Sequence, residues 1–224
     1  MTQLAVSDKK LPRYIAVEGP IGVGKTSLTK RLARTFNYEL LLEKSDENPF
    51  LNRFYKNPRQ HALSTQLFFL FQRAQQIEDL RQDDLFTPVR VADFLIEKDQ
   101  LFAQQNLDTD EYKLYQKVYH HLTINIPSPD LVIYLQAPTN TLLERIQKRG
   151  IKAEQLIKLS YLENLNHAYT EFFHYYDKSP LLIINSAGID LVHNDNDYQT
   201  LVDCILSNPG GINYFNPSPS LISK

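Results

Sequence analysis

A glycine-rich stretch near the start of the sequence constrains the fold of this chain more than any other feature. It spans residues 19–26 in the pattern glycine, four residues, glycine, lysine and threonine, after the apolar run Tyr14–Glu18 and before a helical pattern. Glycines let backbone N–H groups turn toward a phosphate, and the N-terminus of the next helix adds positive potential. The sequence therefore predicts a strand, a phosphate-binding loop and a helix in succession.

The loop also predicts which residues contact a nucleotide and its metal. The Lys25 ammonium would lie at the outer phosphates, and the Thr26 hydroxyl would bind Mg²⁺. The expected nucleotide contacts in the loop are Gly19, Gly22, Gly24, Lys25 and Thr26. A nucleotide site alone leaves a GTPase, an ATPase motor and a small-molecule kinase open. The guanine-recognition pattern Asn-Lys-x-Asp is absent, and a 224-residue chain with little beyond one predicted sheet favours the kinase.

The rest of the chain alternates short apolar runs with helical patterns, which is typical of a parallel sheet with helices on both faces. Five runs are predicted to be strands: 14–18, 39–42, 89–94, 131–135 and 181–184. The helical patterns cover residues 25–36, 62–80, 111–121, 139–149, 155–176 and 198–206. We expect one α/β domain over residues 11–207, preceded by a polar tail (1–10) and followed by a flexible tail (208–224) that is rich in Pro, Gly, Ser and Asn.

The composition of the chain argues against several classes of protein. A net charge of -2 argues against a globally basic, nucleic-acid-binding protein. No apolar run approaches the roughly 18 residues that cross a bilayer, and the first ten residues lack the apolar core of a signal peptide. Cys204 is the one cysteine, so no internal disulfide can form. We expect a cytoplasmic protein that binds neither membrane nor nucleic acid.

Several stretches together resemble the deoxyribonucleoside kinase family. The phosphate loop with its preceding strand is one, and the acidic run that opens at Glu43 after the second predicted strand is another. The others are the segment 55–58, two polar residues on the predicted helix 62–80, the basic run 145–150, and the segment around Glu154 and 161–165. The resemblance covers roughly residues 14–205. It implies a P-loop nucleoside and nucleotide kinase fold with a helical lid.

This resemblance implies the reaction and the residues at the acceptor end. The reaction is ATP-dependent 5′-phosphorylation of a deoxyribonucleoside, and Glu43 matches the general base that takes the 5′-hydroxyl proton. Tyr55 and Glu154 match the pair that holds the sugar 3′-hydroxyl. Gln66 matches the glutamine that contacts the base edge. Arg73 and Asp99 match a charge pair that accompanies cytosine or purine bases rather than thymine.

At the phosphate end the resemblance implies further roles. Asp93 matches an acidic residue near Mg²⁺, and Arg145 and Arg149 match the lid arginines that act on the ATP phosphates. The family is usually dimeric through the helix that carries Gln66, and the apolar Leu67, Leu70 and Ile77 on that helix would suit either a dimer contact or the core.

The chain departs from the family pattern at two positions. Phe94 stands where the family has an arginine after the acidic residue, and Ile151 stands where it has another lid arginine, with Lys152 as a substitute. Two other functions remain open. One is a nucleoside monophosphate kinase, which would need extra cations for the acceptor phosphate. The other is a non-catalytic relative that binds nucleotide, which retention of Lys25, Glu43 and Asp93 disfavours.

Overall fold

The centre of the fold is a parallel sheet with helices packed on it. The computed structural model describes residues 11–82, 89–123, 126–207 and 210–215. The strands are β1 (Tyr14–Glu18), β2 (Glu39–Leu41), β3 (Arg90–Ala92), β4 (Leu131–Gln136), β5 (Leu181–Asn185) and β6 (Ile212–Phe215). The helices are α1 (Lys25–Phe36), α2 (Leu51–Lys56), α3 (Pro58–Gln82), α4 (Lys98–Asn106), α5 (Thr109–Thr123), α6 (Thr139–Arg149), α7 (Leu159–His174) and α8 (Asp195–Ser207). None of the helices within these ranges is long and apolar enough to span a membrane.

The strand order is β2-β3-β1-β4-β5-β6, and every neighbouring pair is parallel. The first strand of the chain therefore lies inside the sheet, between β3 and β4. Strands buried on both faces need apolar residues at successive positions rather than at alternate ones. The buried run of β4, Leu-Val-Ile-Tyr-Leu, has this composition.

Alternate residues of β1 face opposite sides of the sheet, and each side has its own core. Ile15 and Val17 pack in one layer with residues of α1 and α8 that include Leu32 and Leu201. Ala16 belongs to the other layer, where α7 covers the sheet. Parallel strands all end at the same edge of the sheet. The segments that follow β1, β2, β3 and β4 therefore all start at that edge.

The sheet has six strands, and the prediction of five was wrong. The sixth strand, β6, comes from a segment predicted to be part of the flexible tail. Phe215 is only 6% exposed and packs in the same core layer as Leu201, whereas Tyr214 is 73% exposed. One buried aromatic in a short strand between segments rich in Gly, Pro and Asn gives too weak a pattern to identify from sequence. Residues 1–10 and 216–224 of the two predicted tails lie outside the described residues.

The helices differ from the prediction in their number and in the start of one long helix. Helices α2 and α4 were not predicted, because each is short and lacks a regular apolar stripe. The helix predicted over 155–176 begins at Leu159, after a 3₁₀ turn at Glu154–Leu156. Of the two alternatives left open for Leu70 and Ile77 of α3, the structure shows burial in the core rather than a dimer contact.

Replacing Phe215 with alanine tests whether β6 contributes to the core. Phe215→Ala is expected to lower the free energy of unfolding by about 3 kcal/mol, since a buried aromatic side chain is lost. Tyr214→Ala is the matched control on the same strand and should change it by less than about 0.5 kcal/mol. Urea unfolding followed by circular dichroism measures both. Equal, small effects would mean that β6 does not pack as described.

Candidate active site

The phosphate loop follows β1 and packs closely on its neighbours. Gly19 and Gly22 both adopt positive φ, at 148° and 84°. A Cβ atom at Gly19 would lie 2.4 Å from the Leu135 carbonyl oxygen, and one at Gly22 would lie 2.8 Å from the Leu142 carbonyl oxygen. These positions require glycine for both conformation and space. The loop is thereby fixed against the end of β4 and against α6.

Lys25 opens α1 and folds its side chain back over the loop. Its ammonium donates hydrogen bonds to the carbonyl oxygens of Gly19 (2.7 Å) and Pro20 (3.3 Å). Burial lowers the pKa of Lys25 to about 8, because removal of water disfavours the charged form. The Lys25 ammonium is therefore held at the loop, which is where the sequence predicts that the outer phosphates of a nucleotide bind.

Asp93 joins three elements at the edge of the sheet. The Thr26 hydroxyl donates to its Oδ2 (2.6 Å), and the backbone N–H of Glu43 donates to its Oδ1 (2.7 Å). The first residue after β3 therefore holds both the start of α1 and the segment after β2. A hydroxyl and a carboxylate in contact provide hard oxygen donors of the kind that Mg²⁺ prefers. The residues predicted to bind the metal lie together and fit it chemically.

The Glu43 carboxylate lies between two cations. Arg73 Nη2 pairs with its Oε1, and Lys98 Nζ lies 3.4 Å from its Oε2. Lys98 also pairs with Glu18 Oε1 at 3.1 Å, and Glu18 Oε2 accepts a hydrogen bond from the N–H of Gly19 at 3.0 Å. Burial lowers the pKa of Lys98 below its usual range. The base predicted from the sequence is therefore connected to the phosphate loop through Lys98 and Glu18.

A cavity of about 210 Å³ opens beside Glu43. Its lining includes phosphate-loop residues, Asp93 and Lys98. Four residues predicted to hold the acceptor also line it, namely Tyr55, Gln66, Arg73 and Glu154, and so does Arg149, which was predicted to act on the ATP phosphates. The apolar lining is largely aromatic: Phe54, Phe69, Phe102, Tyr161 and Tyr169. Burial raises the pKa of Tyr55 above its usual range, so this phenol keeps its proton and can donate a hydrogen bond.

Arg73 bridges two carboxylates inside this cavity. Its Nη1 pairs with Asp99, which is buried, and its Nη2 pairs with Glu43. The guanidinium carbon lies 4.9 Å from the ring centre of Phe69. Burial lowers the pKa of Arg73 to about 10, so it stays charged at neutral pH. The pairing of Arg73 with Asp99 agrees with the sequence prediction, but the contact with Glu43 was not predicted.

The two arginines of α6 lie in different surroundings. Arg149 lines the cavity and forms an ion pair with Glu154. Arg145 instead donates to the carbonyl oxygen of Val23 (3.2 Å) and to the hydroxyl and carbonyl oxygens of Ser186 (3.2 and 2.8 Å). Spacing of four residues predicts a shared face, and of the two side chains Arg149 lines the cavity whereas Arg145 contacts the phosphate loop at Val23.

Sequence reasoning missed Glu18 and Lys98. The signal at Glu18 was available, since a carboxylate ends a strand whose other residues are largely buried and apolar. Lys98 stands between two acidic residues, Glu97 and Asp99, and such a run is usually a solvated surface. Only the tertiary structure shows that its side chain is buried.

Comparison with known proteins identifies several relatives. The model of the deoxynucleoside kinase family matches residues 15–208. A deoxyguanosine kinase of Bacillus subtilis (strain 168) is 36% identical over 84% of this chain and 93% of its own length. A deoxyguanosine kinase of Lactobacillus johnsonii is 32% identical over 86% of this chain and 91% of its own. Among solved structures, the deoxyadenosine kinase from M. mycoides with bound dATP has a TM-score of 0.73 and 27% identity, and the match covers 85% of this chain and 98% of that one.

Replacing Arg145 with methionine tests its role behind the loop. Arg145→Met is expected to weaken binding of ATP, the predicted ligand of the loop, about 10-fold. The reason is that the bonds to Val23 and Ser186 that hold the loop in its binding conformation are lost. Lys148→Met, an exposed lysine of the same helix, is the matched control and should leave affinity unchanged. Calorimetric titration with ATP measures both, and equal affinities would contradict the assignment.

Proposed function

The chain belongs to the deoxynucleoside kinase family and is a phosphotransferase, and we propose that it transfers the γ-phosphoryl group of ATP to the 5′-hydroxyl of a purine deoxyribonucleoside in nucleotide salvage. The observation that carries this proposal is the position of Glu43. Glu43 lines the same cavity as the phosphate-loop residues. Its carboxylate contacts Lys98, and its backbone N–H donates to Asp93.

At the donor end, the phosphate loop and two cations would hold ATP. The loop N–H groups and Lys25 would bind the phosphates. Arg149 would break its ion pair with Glu154 and contact the γ-phosphoryl group during the transfer. Thr26 and Asp93 would hold Mg²⁺, which when bound neutralises charge on the phosphate oxygens. Positive groups that meet charge as it develops stabilise the transition state more than the bound substrate.

At the acceptor end, Glu43 would take the proton of the 5′-hydroxyl while the hydroxyl oxygen attacks the γ-phosphorus. The bond from phosphorus to the β–γ bridging oxygen breaks, and ADP leaves with that oxygen. Tyr55 and Glu154, which line the cavity together, would donate to and accept from the 3′-hydroxyl. Gln66, buried on α3, would present its amide to the base.

The charges around the cavity favour an uncharged acceptor over a nucleoside monophosphate. Arg73 is paired with Asp99 and Glu43, and Lys98 is paired with Glu18 and Glu43. Both cations are therefore committed to carboxylates. An acceptor phosphate would have to compete with those carboxylates for the same donors.

A purine base is proposed on two grounds. Arg73 and Asp99 form the charge pair that the family resemblance associates with cytosine or purine bases, and the relatives described above are named as deoxyguanosine and deoxyadenosine kinases.

We also propose a homodimer. The apolar surface that would support it is Phe71 of α3 with Leu114 of α5, both about half exposed. A cytoplasmic location is proposed because the donor is ATP and Cys204 cannot form an internal disulfide.

Removing the charge of Glu43 tests its role as base. Glu43→Gln keeps the shape but cannot accept the proton, so kcat should fall about 10²–10⁴-fold with little change in ATP affinity. Glu47→Gln is the control, since Glu47 is an exposed carboxylate in the same acidic run. Steady-state kinetics coupled to ADP release measures both. If Glu43→Gln turns over at the normal rate, another group is the base.

The base preference is tested at the Arg73–Asp99 pair. The unaltered enzyme should give a higher kcat/KM with deoxyguanosine or deoxyadenosine than with thymidine. In Arg73→Met with Asp99→Ala, both charges are removed and the cavity widens, so the thymidine to deoxyguanosine ratio of kcat/KM should rise about 10-fold. Overall turnover should fall as well, because Glu43 loses one cation. Thymidine as the best substrate of the unaltered enzyme would refute the base assignment and leave the kinase assignment intact.

A further inference from the structure

Glu18 and Lys98 form a buried ion pair beneath the site, and no step of the proposed mechanism uses it. Glu18 is fully buried at the end of β1, and Lys98 is 2% exposed at the start of α4. Their side chains approach to 3.1 Å, and the same ammonium lies 3.4 Å from Glu43 Oε2. A buried lysine with two carboxylate partners, one of them the proposed base, calls for an explanation.

Local structure does not favour a lysine at this position. Lys98 is the first residue of α4, where the positive end of the helix dipole disfavours a cation. Burial is also unfavourable for an ammonium, and the pKa of Lys98 is lowered by it. The favourable contacts of this side chain are its two carboxylates. Its placement is therefore explained by Glu18 and Glu43 rather than by the helix.

The residue that follows Asp93 points to the same conclusion. Phe94 carries no charge, and its ring is fully buried in the core beneath α3 and α5. The end of β3 thus supplies no cation to the site. Lys98, four residues later, brings an ammonium to Glu43 from the first turn of α4.

Resting on the proposed function of this site, we propose that Lys98 is a positioning residue that fixes the Glu43 carboxylate through its Oε2, and that Glu18 exists to hold Lys98 in place. Arg73 fixes Oε1 of the same carboxylate, so the two cations together set its plane. Glu18 also accepts from the N–H of Gly19, which ties the position of the base to the phosphate loop. The proposed base and the phosphate loop are thereby held in fixed positions relative to each other.

The alternative is that Lys98 merely neutralises Glu18, and a double variant separates the two roles. Glu18→Gln with Lys98→Met removes both charges and nearly conserves both shapes, so no carboxylate is left buried without a partner. Four proteins accompany it: the unaltered enzyme, Glu18→Gln, Lys98→Arg, and Lys113→Met as an exposed lysine control on α5. For each, kcat and KM are measured with saturating ATP and the best of the four deoxynucleosides, together with the melting temperature.

We expect the double variant to melt within about 4 °C of the unaltered enzyme. Its kcat should fall about 10²-fold, and its nucleoside KM should change less than about 3-fold. Lys98→Arg keeps the charge and should retain at least about a tenth of the normal kcat. Glu18→Gln keeps every cation but frees Lys98, and its kcat should fall about 10-fold. Lys113→Met should match the unaltered enzyme.

A double variant with kcat within about 3-fold of normal would overturn the proposal and leave the kinase function standing. If the double variant does not fold, Glu18→Gln decides, since normal turnover in that single variant would overturn the role given to Glu18 and reduced kcat at unchanged KM would support it. An unaltered enzyme that phosphorylates none of the four deoxynucleosides would overturn the proposed function itself.

Discussion

The two oxygens of Asp93 determine how the site is assembled. One accepts from Thr26 at the start of α1 and the other from the backbone of Glu43. These bonds fix the phosphate loop and the proposed base relative to each other, although the two lie on segments that follow different strands. Asp93 can do this because β3 lies between β2 and β1 in the sheet, so its end is adjacent to both. The order of the strands in the sheet therefore determines the geometry of the site.

The electrostatic balance of the site follows from its burial. Four carboxylates, those of Glu18, Glu43, Asp93 and Asp99, share the floor of the site with the cations Lys25, Arg73 and Lys98. Removing charges from water is unfavourable unless each has close partners of opposite sign. The network gives Glu18, Glu43 and Asp99 such partners, while Asp93 accepts from the Thr26 hydroxyl and the Glu43 N–H. The Lys25 ammonium donates to loop carbonyl oxygens, which are weaker partners than a phosphate would be.

Features encoded by neighbouring residues were predictable from the sequence. The phosphate loop, the alternation of strands and helices, and the positions of Gln66 and Arg73 on one helix all depend on local pattern. The buried Lys98 depends on where α4 meets β1, and no local pattern records that meeting. The spacing of Arg145 and Arg149 predicts a shared helix face but not the partners of each side chain, which are Val23 and Ser186 for Arg145 and Glu154 for Arg149. β6 was missed because Phe215 is its one buried side chain, and its pairing with β5 depends on residues far apart in the sequence. The sequence therefore predicts the elements better than it predicts how their ends combine.

The strand order also determines how this protein can be made. β1 precedes both of its partners by a long stretch of chain, since it begins at residue 14 and β3 and β4 begin at residues 90 and 131. The outer neighbour of β5 is supplied by residues 212–215, close to the end of the chain. Pairing between such distant segments is slow, because the chain loses the entropy of closing a long loop before the two strands make any stabilising contact. Until residues 90–92 have been synthesised, the apolar β1 segment has neither of its neighbouring strands, and α1, which packs on Ile15 and Val17 in the folded protein, is the first element that can cover it.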